Sequence, residues 1–266
     1  MKYIFKIIRK ILFIILIPFK PILVYIFELE TSVAKRWASS AHRRLLFATW
    51  RIPKTPEFFD HHIDLYYQWQ KNKSSWWLER GVFGSLAIKR DGKMLELASG
   101  DGFNTRNFYS GIAKSVIACD FDKKAISTAK RKNSSSNIEF MLADIRINMP
   151  KGAFDNIVWD AAIEHFTPEE IKSIMLNIKN RLTEKLGILS GHTIVERHEG
   201  KSLEQHEYEF KDMADLKRFL SPYFTNVTVF ETIFPERHNL YFWASDGTIP
   251  FSNDWTNWLN NKDFNA

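Results

Sequence analysis

The chain has 266 residues, of which 45% are hydrophobic and 15% aromatic, and its formal net charge is +6. This length favours one α/β domain with an accessory segment, and the apolar content is sufficient for a sizeable core. The single cysteine excludes an intrachain disulfide and a cysteine metal cluster, and it fits a reducing compartment. Positive charge is concentrated in residues 2–44, which indicates an anionic surface, either a membrane or a nucleic acid, as a partner of this segment.

Residues 1–30 combine apolar runs with spaced basic residues. The run ILFIILI at 11–17 is wholly apolar, but two prolines and a lysine follow it, and a transmembrane helix needs about 20 apolar residues. We therefore predict that residues 1–30 form an amphipathic or re-entrant helix on the cytoplasmic face of a membrane, because basic residues flank the apolar part on both sides. The alternatives are a full span, a signal peptide, and a helix packed on a partner subunit or on the domain itself. The basic residues that share one helical face are Lys2, Lys6 and Arg9.

Residues 31–90 are polar, aromatic and helical in pattern, and they predict a lid and linker ahead of the main domain. His61 and His62 are candidates for the substrate side, with surface or capping histidines as the structural alternative. Arg80 can contact an anionic substrate, although an arginine that ends a helix is commoner.

From residue 91 to 250, apolar strand patterns alternate with helical ones, which predicts a doubly wound, mostly parallel sheet. Only a short segment separates the last two strands, so the last strand should be antiparallel. Residues 251–266 are predicted to form a C-terminal tail. The predicted strands are 93–97, 115–119, 138–142, 154–159, 186–195, 225–231 and 239–244. The predicted helices are 104–110, 122–132, 168–182 and 212–220.

The stretch KMLELASGDGFNTRNF at 93–108 joins a strand to a helix through a glycine-containing loop. A dinucleotide-binding motif has a third glycine at the position of Thr105, so this loop departs from that motif. No P-loop lysine follows either. Glu96 at the strand end would repel a pyrophosphate and attract a cationic amino group. The loop therefore predicts a positively charged nucleoside without phosphates.

Acidic residues stand at the ends of the following strands. Asp120 lies at the position that binds a ribose diol, and Phe121 beside it can lie against a base. Asp144 follows the third strand. Because the carboxyl ends of parallel strands share one edge of the sheet, these residues are expected to meet there. The fourth strand brings Asp160, Glu164 and His165 to the same edge.

This order of elements resembles the class I S-adenosylmethionine-dependent methyltransferases over residues 75–245. The matching loop is Glu96 to Gly102, ELASGDG, with Ala98 where the first glycine is usual. The resemblance implies a seven-stranded Rossmann-like methyltransferase fold and S-adenosyl-L-methionine as the cofactor. It also implies that the loop holds the methionine portion, Asp120 the ribose hydroxyls, and Asp144 with its neighbour the adenine. The predicted cofactor-binding residues are Glu96, Ala98, Gly100, Gly102, Asp120, Phe121, Asp144, Ile145 and Asp160.

Methyl transfer to a hydroxyl needs alignment and removal of a proton. His165 is the predicted base or acceptor contact, with Glu164 and His192 beside it, and His206 is a further candidate. A histidine that only caps or packs is the structural alternative for each. Some family members with a Glu-His pair at this position bind a divalent metal, for which Glu164, His165 and His192 would be the ligands. Ala161 replaces a further acid of that pattern, so no metal ligand is predicted.

The segment WDAAIEHF follows the fourth strand, where enzymes that methylate amino groups of nucleic acids carry Asn/Asp-Pro-Pro-aromatic. This difference favours oxygen as the acceptor atom, and basic residues clustered in the membrane segment require no nucleic-acid partner. The expected acceptor is a membrane-associated glycan or glycolipid precursor. The alternatives are a quinone or other lipid, a non-catalytic cofactor-binding module at the membrane, and a polyamine-forming transferase, for which no acidic cluster is present.

Overall fold

The computed structural model describes residues 20–50, 73–196, 201, 203–235 and 237–252. The predictions for residues 1–19, for His61 and His62, and for most of the C-terminal tail lie outside these residues. The chain divides near residues 58–68 into two compact units. The described part of the first unit is one helix, and the second unit holds the sheet.

Helix α1, Lys20–Trp50, is the described part of the first unit. Its first turn contains Pro21, a position where proline costs no helical hydrogen bond. The helix continues without a break across residue 30, where we placed a boundary between two segments. No helix in the described part of the chain is both long and apolar enough to cross a membrane. Large apolar side chains are exposed along it: Ile22, Tyr25, Ile26, Phe27, Leu29, Val33 and Trp37.

The second unit is built on a seven-stranded sheet with the strand order β3-β2-β1-β4-β5-β7-β6. The first five strands are mutually parallel. Strand β7 is antiparallel to both of its neighbours, so the predicted antiparallel last strand and doubly wound fold are confirmed. The strands are β1 Lys93–Leu97, β2 Ser115–Asp120, β3 Ile138–Leu142, β4 Asn156–Asp160, β5 Ile188–Ile194, β6 Asn226–Phe234 and β7 Arg237–Ser245.

Helices follow the strands as the sequence predicts, and side chains cap three of the four helices described in this unit. Thr167 and Glu170 form a reciprocal capping box at the start of α4, with proline at the first helical position. Asp122 caps α3 and Asp212 caps α5 through side-chain acceptors. The helices of this unit are α2 Trp76–Leu86, α3 Lys123–Lys132, α4 Pro168–Lys179 and α5 Met213–Leu220, with a π-helical turn at Thr105–Tyr109 and a 3-10 turn at Ile163–His165.

Alternate residues of each central strand enter different core clusters, because successive side chains of a strand point to opposite faces. Leu95 and Leu97 of β1 pack in one cluster with apolar residues of α4 and α5. Met94 and Val116 pack in another with residues of α3. Burial on both faces fixes the strand register, so the residues at the carboxyl ends of β1, β2, β4 and β5 are held in set positions.

Candidate active site

The loop after β1 has a backbone that few residues can adopt. Ala98, Gly100 and Gly102 all have positive φ, at 52°, 57° and 74°. A Cβ atom on Gly102 would lie 2.4 Å from a ring carbon of Phe140, so only glycine fits there. The amide of Ser99 donates to the carbonyl of β2 at Cys119 over 2.9 Å, which ties the loop to the neighbouring strand.

Glu96 is a buried carboxyl group at the base of this loop. Its Oε2 accepts a hydrogen bond of 2.5 Å from the hydroxyl of Thr105, the residue that stands where a dinucleotide site has glycine. Burial, together with the nearby negative charge of Asp160, raises the pKa of Glu96 to about 8. A cationic group placed beside Glu96 would favour its ionised form.

Asp120 lies at the end of β2 and is also buried. Its Oδ2 accepts from the amide of Gly100 over 2.9 Å, and its Oδ1 accepts from the amide of Asp122 over 2.8 Å. The carboxylate therefore shapes the glycine loop directly. Phe121 is 73% exposed, so its ring is open to a ligand from the same edge.

Asp144 and Ile145 follow β3, as predicted. Arg146 donates to the carboxylate of Asp144 and holds the pKa of that carboxyl below its ordinary value. The side chain of Ile145 is buried in the core, so its backbone is the part that can contact a ligand.

Asp160, predicted to bind the cofactor, is held by neighbouring side chains at the end of β4. Its Oδ2 forms a buried ion pair of 2.6 Å with Arg80 and accepts from the side-chain Nδ2 of Asn104 over 3.2 Å. Burial opposes ionisation of Asp160, but the Arg80 guanidinium and His192 hold its pKa well below the ordinary range. We assign Asp160 to fixing helix α2 and the loop after β1. The two partners are 80 positions apart, so no local sequence pattern indicates this pair.

His192, predicted to be catalytic, is buried in β5 with 1% of its surface exposed. Its Nε2 lies 3.1 Å from the amide oxygen of Asn239, and its Nδ1 lies 3.5 Å from Asp160, too far for a strong hydrogen bond. Burial lowers the pKa of His192. It belongs to the buried polar network of β4, β5 and β7, and it is not part of the histidine cluster described next.

Glu164, His165 and His206 form a cluster beyond the carboxyl end of β4. One potential metal-ligating atom from each side chain lies within 4.8 Å of those of the other two. The two imidazole rings are 4.7 Å apart and nearly perpendicular, at 84°. Glu164 and His206 are buried, and His165 is half-buried. His206 therefore takes the place that the sequence interpretation gave to His192.

Each member of this cluster has a partner that orients it. The hydroxyl of Thr193 donates to Glu164 Oε2 over 2.9 Å. His165 Nδ1 lies 3.4 Å from the carbonyl oxygen of Gln205, and His206 Nδ1 contacts the carboxylate of Glu209. A carbonyl or carboxylate oxygen can only accept, so these contacts place a proton on Nδ1, and in the neutral ring the lone pair is then on Nε2.

Sequence reasoning missed the pair formed by Arg237 and Trp76. The guanidinium of Arg237 lies 3.7 Å from the centre of the Trp76 ring. Its Nε also donates to Asn239 over 2.7 Å. Burial and the neighbouring Arg80 lower the pKa of Arg237 to about 10. The motif WWLER at 76–80 could have indicated that this segment contributes to the site, because it combines paired aromatic residues with an arginine.

Residues 94–185 match a protein-family model described as a methyltransferase domain. This chain carries a methyltransferase domain. The prediction of a class I S-adenosylmethionine-dependent methyltransferase is confirmed, and S-adenosylmethionine is the cofactor of that class.

Solved structures share the fold of the methyltransferase domain. A DhpI–SAH complex aligns with a TM-score of 0.53 and 21% identity, covering 70% of this chain and 88% of that one. The N-methyltransferase NodS from Bradyrhizobium japonicum WM9, in complex with S-adenosyl-L-homocysteine, aligns with a TM-score of 0.54 and 16% identity, covering 69% and 93%. The comparison with curated protein sequences gives no match.

The loop of the methyltransferase domain fits its cofactor. The cofactor carries an ammonium group, for which Glu96 is the buried acid at the strand end. The Oγ atom of Ser99 is buried and has no hydrogen-bond partner within the described part of the chain, so it is available to a ligand. Asp120 fixes the loop conformation by accepting from the amide of Gly100.

Proposed function

We propose that this methyltransferase O-methylates a membrane-associated glycan or glycolipid precursor. The observation that carries the proposal is the cluster of Glu164, His165 and His206 at the sheet edge where the cofactor loop also ends. A hydroxyl is a weak nucleophile until it loses its proton, so an oxygen acceptor requires a base at this place. His165 is half-buried, and its Nδ1 contact with Gln205 leaves Nε2 as the proton acceptor.

S-adenosylmethionine supplies an electrophilic methyl group. Glu96, Ser99 and Asp120 would hold it at the glycine loop. The cofactor would transfer its methyl group to the acceptor oxygen and keep the electron pair of the carbon–sulfur bond on sulfur, and the Nε2 of His165 would take the hydroxyl proton. The protein contributes alignment and about 10²–10⁴ in rate from the base.

Helix α1 supports the membrane part of the proposal. Ile22, Ile26, Leu29 and Val33 recur at helical spacing on one face, and each is at least 48% exposed. Such a stripe is typical of a helix that lies in a bilayer interface, where basic residues of the same segment meet anionic lipid headgroups. We place the enzyme at the cytoplasmic face of the membrane, bound peripherally or as a monotopic protein.

Product analysis tests the acceptor. Full-length protein is incubated with cofactor labelled in the methyl group and with separated fractions of glycolipids, neutral lipids, soluble glycans and nucleic acids. We expect label in the glycolipid fraction as an alkali-stable methyl ether. Label in the neutral-lipid fraction would indicate a quinone or other lipid, and label on nitrogen would contradict the proposal.

A pair of histidine variants tests the base. His165→Ala should lower turnover by about 10²–10⁴ while cofactor affinity, measured by calorimetry, stays unchanged. His238→Ala is the matched control, because His238 on β7 pairs with Glu231 on β6 and is not part of the cluster. Full turnover in His165→Ala would remove this residue from the mechanism.

Vesicle sedimentation tests the membrane proposal. Full-length protein should sediment with anionic vesicles and stay bound in high salt, because apolar burial adds to charge attraction. Ile26→Ser/Leu29→Ser/Val33→Ser should bind weakly. Thr31→Ala/Ser32→Ala, which changes exposed polar residues of the same helix, should bind like the unmodified chain. Failure of the unmodified chain to bind would refute the proposal.

A further inference from the structure

Arg237 is a cation that has no counter-ion among the residues that the structure describes. None of the ion pairs formed between described residues includes it. We infer that Arg237 binds an oxyanion of the acceptor, either a phosphate or a carboxylate group. This role rests on the proposed function, because it narrows the class of acceptor that the same site takes.

Arg237 lies at the edge of the sheet where the proposed base also lies. It is the first residue of β7, which runs antiparallel to β5. The pairing of Ile194 with Asn239 places Arg237 beyond the carboxyl end of β5. The turn that carries His165 follows the carboxyl end of β4, the strand next to β5. Strands β1 and β2, which the cofactor loop contacts, lie on the other side of β4, so Arg237 is on the half of this edge that the cofactor loop leaves to the acceptor.

Neighbouring side chains fix the direction of the Arg237 guanidinium. Its Nε donates to Asn239 Oδ1 over 2.7 Å, and its central carbon lies 3.7 Å from the centre of the Trp76 ring. Asn239 is itself held, because its Nδ2 donates to the hydroxyl of Thr232 over 3.3 Å. The terminal nitrogens Nη1 and Nη2 donate to no acceptor within the described residues. A cation that is already oriented loses less conformational freedom when a ligand binds.

The acidic side chains around Arg237 are engaged with other partners. Asp160 pairs with Arg80, whose guanidinium carbon lies 5.7 Å from the centre of the same Trp76 ring. Glu79 accepts hydrogen bonds from three hydroxyl groups, those of Ser75, Thr232 and Tyr241. The arginine that the sequence indicated for an anionic substrate, Arg80, is therefore neutralised within the protein, and Arg237 is the cation left for a ligand.

The electrostatic surroundings of Arg237 favour an added negative charge. Burial and the positive charge of Arg80 lower the pKa of Arg237 to about 10, and the weaker attraction of Glu164 and Asp160 does not offset them. Because this pKa is still well above 7, the guanidinium is ionised at neutral pH. An oxyanion beside it would stabilise the ionised form.

The shape of the guanidinium selects the class of ligand. Its two terminal nitrogens can donate parallel hydrogen bonds to two oxygens of one carboxylate or phosphate, a contact that a single hydroxyl cannot match. The indole of Trp76 covers one face, so such a group must approach the edge of the guanidinium. A glycan or glycolipid precursor with a phosphate or an acidic sugar fits this site, whereas a neutral glycolipid or a quinone offers no oxyanion.

Thermal unfolding tests anion binding without turnover. Full-length protein saturated with S-adenosylhomocysteine is unfolded in chloride, in acetate and in inorganic phosphate at equal ionic strength. An anion that binds the folded chain raises its Tm. Phosphate also stabilises proteins without binding a site, so the rise in Tm is compared between variants. We expect acetate or phosphate to raise the Tm of the unmodified chain more than that of Arg237→Gln. The matched control Arg131→Gln, which changes an exposed arginine of α3, should behave like the unmodified chain.

Product analysis identifies the anionic group. The labelled glycolipid fraction is resolved by anion exchange, and we expect the label in acidic species. Phosphorus in the labelled species identifies a phosphate, and loss of its charge on carboxyl reduction identifies a carboxylate. Arg237→Gln should raise the KM for this acceptor at least about tenfold, because a charge-assisted hydrogen bond is lost. Its kcat should change little, since the oxyanion is bound equally in the ground state and the transition state. Cofactor affinity should equal that of the unmodified chain, which shows that the variant is folded.

The outcomes separate the oxyanion site from the proposed function. Equal rises in Tm for Arg237→Gln and the unmodified chain, or an unchanged KM in this variant, would overturn the oxyanion site. Label confined to neutral glycolipids would also overturn it, while O-methylation of a glycolipid would stand. If the anions stabilise the chain through Arg237 but the label is found on nitrogen, the oxyanion site stands and the proposed function fails.

Discussion

Cofactor binding should release a proton from Glu96. Burial raises the pKa of this carboxyl from 4.5 to about 8 in the unliganded chain. At pH 7, it therefore carries its proton in about nine of ten molecules. A cationic amino group beside it requires the carboxylate, so binding of the cofactor or of S-adenosylhomocysteine should release close to one proton.

Calorimetry in two buffers measures this proton. At pH 7, the binding enthalpies measured in phosphate and in Tris should differ by nearly the difference between the ionisation enthalpies of the two buffers. Affinity should also rise about tenfold between pH 6 and pH 7, because the small ionised fraction of Glu96 rises about tenfold over this range. Glu96→Gln should lose both effects while keeping an acceptor for Thr105. A binding enthalpy that is equal in the two buffers would refute the assignment of Glu96 to the ammonium group.

The same pKa shift predicts the pH dependence of stability. Because the pKa of Glu96 is higher in the folded than in the unfolded chain, the folded chain binds the extra proton between pH 4.5 and about 8. Stability from this group is therefore present at low pH and lost as pH rises through that window. Relative to Glu96→Gln, the unliganded chain should lose about 1.4 kcal/mol of unfolding free energy per pH unit there. Parallel urea titrations at pH 5, 6 and 7 check the slope, and equal slopes for both chains would contradict the burial argument.

Three further substitutions test the geometry of the site. Asp160→Ala leaves its arginine partner buried without a counter-ion, so urea unfolding should show that the free energy of unfolding falls by about 3 kcal/mol. The control Lys89→Ala breaks a half-exposed ion pair and should lower it by less than about 1 kcal/mol. Equal losses in the two variants would contradict the burial argument. Gly102→Ala places a Cβ atom 2.4 Å from an aromatic ring and should lower thermal stability and cofactor affinity, while Gly111→Ala meets nothing within 4 Å and should be neutral in both measurements. Asp120→Ala removes the acceptor that holds the loop, and calorimetry should show cofactor binding weakened at least about tenfold; unchanged affinity would remove this residue from the cofactor site.

Much of the second unit could be predicted from sequence because its signals are local. Strand β1, which carries Glu96, was predicted at 93–97, and the structure has the same bounds. Apolar periodicity and the glycines that follow mark its ends. The helix caps at Asp122 and Thr167 are equally local. Such patterns depend on residues a few positions apart, and one sequence is enough to show them.

The site partners were harder to predict because they are distant in the chain. Arg80 pairs with Asp160 across 80 positions, and no periodicity connects them. His206 joins Glu164 through backbone hydrogen bonds of an irregular segment, which has no repeating pattern. The surroundings of His192 could not be predicted either, because its position in β5 turns it toward the buried side chains of β4 and β7.

The insertion of β7 between β5 and β6 sets the order in which the sheet can form during synthesis. Strand β6 leaves the ribosome before β7, and among the described strands β7 is its only neighbour, so it pairs with none of them until Arg237–Ser245 has been made. Until then, β5 also presents an open edge. A nascent chain that stalls between these two strands would expose unpaired backbone on both, and such edges recruit other chains or chaperones. The domain therefore depends on a late segment for its resistance to aggregation.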